Sequence, residues 1–271
     1  VRMLLVGALV LAAGFFFFDP GLPLAGALTL MLVIGIGMGI FEGVSDALLL
    51  SLHRNHSARY ISVNHFAVTF GCVGLTAALM LGSVPWRLLL VAAAACLVSM
   101  ALVLAIFGWR RSVTNGDAAN KSHFPEPQGW QGLLGNGHFW LLFVLSVLVI
   151  AMELGVIGYL VTFQTSLGRG TAGAAQVSLL CFLAGIAAGR LGIGLLVSEE
   201  RMAHFVLGLL GSAVLAYGAV FVWTPAAPLL FRGGALLAGL SVSATFPLLI
   251  AMAGRAFRRQ AATAIGFLKL A

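Results

Sequence analysis

The chain has 271 residues, of which 61% are hydrophobic and only 8% charged, with a mean hydropathy of +1.08. A soluble globular domain carries about 25% charged residues, so this composition excludes a soluble enzyme or binding module and implies an all-α, multi-pass membrane protein. The net charge of +7 does not argue for a nucleic-acid partner, because the 15 Lys and Arg residues are scattered through short connecting segments rather than gathered on one basic face.

In chain order, apolar runs long enough to span a bilayer fall at about 3–18, 23–52, 60–83, 86–109, 138–163, 172–197, 202–223 and 233–254, with the start of another near 260. Helices are the expected spanning elements, since a backbone in lipid must satisfy its own hydrogen bonds. The last run stops after about three turns, short of the roughly 20 residues a crossing needs, and the first begins at once. A chain truncated at both ends is therefore expected. The hydrophilic stretch from Arg110 to Gly137, rich in Gly, Pro, Asn and Ser, is expected to be a cytoplasmic linker. It separates an N-terminal bundle (1–109) from a C-terminal one (138–271); His123 and Glu126 within it are expected to be solvated. Cys72, Cys96 and Cys181 lie in apolar runs without CxxC or Cys/His spacing, and are expected to be small core residues, not metal ligands or disulfide partners.

Lys and Arg are retained on the cytoplasmic side of membrane proteins. With Arg2 inside, the inner segments hold eleven such residues, Arg2, Arg54, Arg59, Arg110, Arg111, Lys121, Arg190, Arg201, Arg255, Arg258 and Arg259, while the outer ones hold Arg87, Arg169 and Arg232. Asn55 and Asn120 then lie inside and are not glycosylation acceptors. Trp86, Trp109 and Trp223 fall at the expected interfaces.

The order of these features resembles the major facilitator superfamily. Its transporters are built as two six-helix bundles with a pseudo-twofold relation, joined by a long cytoplasmic loop. The resemblance covers essentially the whole chain, with the visible runs corresponding to the third through tenth helices and the start of the eleventh. "GIGMGIFEGVSDALLLSL" (35–52) resembles the fourth helix of fucose-permease-like sugar transporters, with Glu42 on the membrane acid and Asp46 where relatives more often have Asn. "AMELGVIGYLVTFQ" (151–164) resembles the seventh helix. "GIAAGRLGIGLLVSEER" (185–201) resembles the end of the eighth, which makes Arg190, Glu200 and Arg201 candidates for a cytoplasmic gate. "GLSVSATFPLLIAMAGRAF" (239–257) resembles the tenth, with Phe246 and Pro247 in mid-membrane at the substrate cavity.

A carboxylate at a helix centre costs about 2.5 to 3.5 kcal/mol on insertion scales and marks a functional site by default. Glu42 is therefore a candidate for proton or substrate handling, and Asp46, four residues on, shares its helix face. Glu153 begins a polar and aromatic face with Tyr159, Phe163 and Gln164 that suits a sugar-like ligand, whose hydroxyls need hydrogen-bonding partners while its ring stacks. Asn64 and His65 are candidates for the cytoplasmic gate. Gly35, Gly37 and Gly39 follow no strand, so they point to close helix packing and not to a dinucleotide; Gly185, Gly189, Gly192 and Gly194 are read the same way. Pro247 is expected to kink its helix and free a backbone carbonyl.

Secondary transport of a small polar solute, a sugar being the class the resemblance implies, is the leading expectation, by proton symport and alternating access. The partners are then the lipid bilayer of the plasma membrane, the solute and protons, with no cofactor, no metal and no nucleic acid, and the full-length protein is expected to be a monomer. A drug or metabolite exporter of the same superfamily is the alternative. It is less favoured because "FGCVGLTAALMLG" (70–82) has the glycines of an antiporter fifth helix but not the proline. A polytopic membrane enzyme ranks third, since it needs paired catalytic groups at one interface and the six His residues show no such constellation.

Overall fold

The computed structural model describes residues 2–19, 21–53, 55–82, 85–114, 130–168, 171–223 and 226–270, without the side chains of 107–114 and 131. These residues form α1 (Arg2–Phe17), α2 (Leu24–Leu52), α3 (Ser57–Met80), α4 (Trp86–Thr114), the single turn α5 (Gln131–Leu134), α6 (Gly137–Ser166), α7 (Ala172–Leu196), α8 (Met202–Tyr217), α9 (Pro228–Val242), α10 (Thr245–Ala256) and α11 (Ala261–Leu268). A π-helical turn, Gly218–Val222, extends α8. Local chemistry sets several of the ends. The side chains of Asn136 and Thr171 accept hydrogen bonds from the backbone N–H groups of His138 and Ala174 at the starts of α6 and α7. Gly82 and Gly168, at φ 69° and 65°, end α3 and α6 in the left-handed region that glycine adopts without strain.

Seven segments are long and apolar enough to cross a membrane, among the described residues: 24–52, 57–80, 86–106, 137–166, 172–196, 202–222 and 228–256. Eight crossings were expected from the apolar runs; α1 is apolar but has 16 residues, below the usual length of a span. The expected helix at 233–254 is instead two, α9 and α10, interrupted at Ser243 and Ala244. Pro247 is the cause, since it has no N–H to return to Ser243, four residues earlier, and its ring crowds that carbonyl. The expected linker overlaps α4, which runs on to Thr114, and α5; residues 115–129, with His123 and Glu126, lie outside the described residues, as does the side chain of Trp109.

The core is seated in the second half of the chain, around Phe139, Phe182, Phe231 and the run Leu248, Leu249, Ile250, while α2 and α4 present mostly exposed apolar surface. Small residues set the tightest crossings. A Cβ at Gly239 would strike the carbonyl oxygen of Phe182, and one at Gly185 that of Leu236, so α7 and α9 pack backbone to backbone. The glycines read as packing residues divide. Gly37, whose Cβ would lie 2.6 Å from the Leu11 nitrogen, seats α2 on α1, and Gly194 seats α7 on Ser62 of α3, whereas Gly35, Gly39 and Gly192 face open space. Cys72 and Cys96 are exposed and Cys181 half-buried, contrary to their reading as core residues; a thiol is small and apolar enough to face lipid.

The helices before residue 115 meet those after 130 chiefly where α3 lies along α7, with α10 and α11 against α2 and α3. That junction holds the buried charges.

Candidate functional site

Two charged clusters lie side by side at the junction. In the first, Glu42 and Asp46 project from one face of α2, a turn apart, and share the Lys269 ammonium that follows α11. Lys269 Nζ lies 2.8 Å from Glu42 Oε2 and 2.9 Å from Asp46 Oδ2. Asp46 is fully buried, and burying an ion is costly unless every lone pair finds a partner. Here each oxygen has one: Asn64 Nδ2 donates to Oδ1 at 3.2 Å, while His65 Nε2 reaches Oδ2 at 3.1 Å beside Lys269. The same His65 nitrogen also lies 3.5 Å from Lys269 Nζ, between the carboxylate and the ammonium. Phe246 closes the cluster from α10, its ring centroid 5.2 Å from Lys269 Nζ and 5.8 Å from the imidazole, edge to face.

The second cluster centres on Arg190, in the interior of α7. Its terminal nitrogen donates to both oxygens of Glu153, at 2.8 and 2.9 Å, from a guanidinium almost wholly buried. One nitrogen is thus shared between the two carboxylate oxygens in a charge-assisted contact. The remaining donors are used as well: Nη1 bonds the Thr69 hydroxyl and approaches the His65 carbonyl, and Nε donates to the carbonyl of Ser243 at 3.0 Å. Ser243 is the residue whose carbonyl Pro247 leaves without a helical partner. The break in the helix thus supplies an acceptor to a buried cation. His65 and Thr69, one turn apart on α3, link the two clusters.

Together the clusters hold three carboxylates, Glu42, Asp46 and Glu153, against two permanent cations, Lys269 and Arg190, with His65 as the sixth titratable group. These groups come from α2, α3, α6, α7 and the end of α11, so the pairing joins helices of both halves of the chain.

A third polar junction lies at the end of the bundle that carries Arg59 and Arg255. The carboxylate of Glu199, after α7, accepts from the Ser57 hydroxyl and, at 3.0 Å, from the Ala58 N–H at the start of α3, and pairs with Arg255 at 3.0 Å. A carboxylate suits free N–H groups at a helix start. Two apolar grooves of about 530 and 430 Å³ open among α1 to α4, and neither is lined by a residue of the charged clusters.

With this geometry goes a sequence match over the whole chain: the family model of the Major Facilitator Superfamily covers residues 1–271. The chain belongs to that superfamily. No curated protein matches it in a direct comparison. As a member of the Major Facilitator Superfamily it is a multi-pass membrane protein of an all-helical fold and a secondary transporter.

In this superfamily member the residues singled out from the sequence are distributed unevenly. Glu42, Asp46, Asn64, His65 and Phe246 come together, and Asn64 and His65 join the acids instead of Glu200 and Arg201. Arg190, counted above among the loop residues and as a gate candidate, is inside α7 and paired with Glu153. Glu200 and Arg201 are exposed, and the contact to α3 is made by their neighbour Glu199. Tyr159 is 73% exposed on the outer face of α6. It lies six residues beyond Glu153, about 240° around a helix of 3.6 residues per turn, so the two cannot share a face. Phe163 packs edge to face on Phe221. Gln164, eleven residues or about three turns from Glu153, does share its face and is buried, with Oε1 unbonded. Pro247 is buried and acts through Ser243. Lys269, Thr69, Ser243 and Glu199 were not singled out. Lys269 carried a signal, a lone cation in an apolar run, and so did Arg190, which matches the lone acid of the preceding spanning helix.

Proposed function

We propose that this protein couples the movement of a proton to that of a small polar solute, with Glu42, Asp46 and His65 as the proton-handling groups and alternating access of the two helical bundles as the mechanism. The observation that carries the reading is the shared Lys269 contact. Two carboxylates on α2, Asp46 buried and Glu42 half-buried, are held by one ammonium on the opposite side of the junction, 2.8 and 2.9 Å away. Separating the bundles withdraws that cation, and carboxylates in a low-dielectric site must then be neutralised by protons. Uptake of the proton from one side and its return on the other, driven by re-entry of Lys269, links the conformational change to proton movement. A sugar is the solute class, on the likeness of residues 35–52 to fucose-permease-like transporters, and symport at the plasma membrane is the direction. Glu199 with Ser57, Ala58 and Arg255 forms the closed cytoplasmic contact in this arrangement. The test is accumulation of labelled sugars in proteoliposomes under an imposed pH gradient, set against counterflow without one. A sugar that exchanges by counterflow and accumulates with the gradient is expected; counterflow whose extent the gradient never changes contradicts proton coupling.

A further inference from the structure

The surroundings of Lys269 Nζ have more structure than a salt bridge requires. The ammonium is buried, with its side chain 6% exposed. It makes two short contacts to carboxylate oxygens on the same helix face, lies 3.5 Å from His65 Nε2, and has an aromatic ring at 5.2 Å. An alkylammonium has three N–H donors around one nitrogen and a polarised carbon next to it, which suits carboxylates on one side and a ring on the other. Metal-holding groups of three or more His, Cys, Asp or Glu are absent among the described residues. Lys269 follows α11 and carries its ammonium on a flexible four-carbon stem.

We propose that Glu42, Asp46 and the face of Phe246 form a recognition site for a primary alkylammonium group, occupied in this conformation by the protein's own Lys269. The site takes a free amine in the same place when Lys269 is absent or withdrawn. Asn64 and His65 hold Asp46 in position, so the pocket persists without its resident cation. The site does not rest on the transport reading.

The experiment uses the full chain purified in detergent with Lys269→Met, which keeps an apolar stem and removes the ammonium. Its melting temperature is followed against added ethylammonium chloride, with sodium chloride and tetramethylammonium chloride at matched ionic strength. A saturating rise of several degrees with ethylammonium, absent with the other two salts and absent from wild type, is expected. Adding Glu42→Gln to the variant weakens the apparent affinity for ethylammonium by about tenfold or more. Equal stabilisation by all three salts, or none by ethylammonium, overturns the proposal. So does a Lys269→Met protein that fails to fold whether or not ethylammonium is present during purification. Ethylammonium binding with no proton-coupled uptake of any solute by wild type leaves the site standing and counts against the transport reading alone.

Discussion

Arg190 Nε donates to the carbonyl of Ser243 at 3.0 Å, and that carbonyl is free because Pro247 stands four residues further along the chain. A backbone defect in one helix and a buried charge in another are thus a matched pair. The proline leaves an acceptor unsatisfied in the core, and the guanidinium brings a surplus donor to it.

Pro247→Ala restores an N–H that competes with Arg190 for Ser243. The helix gains a hydrogen bond and the guanidinium loses one, worth roughly 1.5 to 3 kcal/mol for a charged donor. The expected outcome is a melting temperature equal to or above that of wild type with solute uptake reduced about tenfold or more. Normal uptake by a stable Pro247→Ala protein would show that the freed carbonyl is incidental.

Arg190 and Glu153 form a nearly buried pair, with 6% and 15% of the side chains exposed. Removing one member of such a pair costs roughly 3 to 5 kcal/mol, because the other is left uncompensated. Arg190→Met and Glu153→Met are each expected to lower stability by about that amount. The double variant should lose less than the sum of the two, by about 1 kcal/mol or more, as contacting residues do. Thermal unfolding of the four proteins in one detergent completes the cycle, and additive losses would mean that the pair is not coupled.

Gly37 and Gly39 give opposite expectations two residues apart. Gly37→Ala drives a methyl group to 2.6 Å from the Leu11 nitrogen and 2.9 Å from its Cα, and is expected to cost about 1 to 3 kcal/mol by overpacking. Gly39→Ala meets nothing within 4 Å, so stability should be unchanged or improved by up to about 1 kcal/mol of helix propensity. The two melting temperatures, compared with wild type, check both.

What was legible in the sequence follows from which interactions are local. Apolar runs report the helices well, since length and hydropathy decide whether a segment spans, and Glu42 and Asp46 stand out because acids are rare there. Their partner did not stand out. Lys269 is 227 residues from Glu42, in a run too short to be read as a span, and no local pattern records that α11 folds back on α2. Arg190 was counted with the loops because a single cation hardly lowers the hydropathy of a 25-residue helix, and only its meeting with Glu153 shows it to be buried. Tyr159 was included for its chemistry, although the helical angle from Glu153 already placed it on another face. Glu199 and Glu200 are adjacent acids that sequence alone does not rank; the start of α3 selects Glu199.

The most direct measurement is solute-driven proton movement in proteoliposomes carrying wild type, Glu42→Gln or Asp46→Asn protein, using the sugar that gives the best counterflow with wild type and an entrapped pH-sensitive dye. If the acids of α2 carry the coupling, counterflow persists in at least one variant while its solute-driven proton movement falls to background. Proton movement undiminished in both variants, with solute exchange intact, would contradict the assignment of Glu42 and Asp46 to the proton.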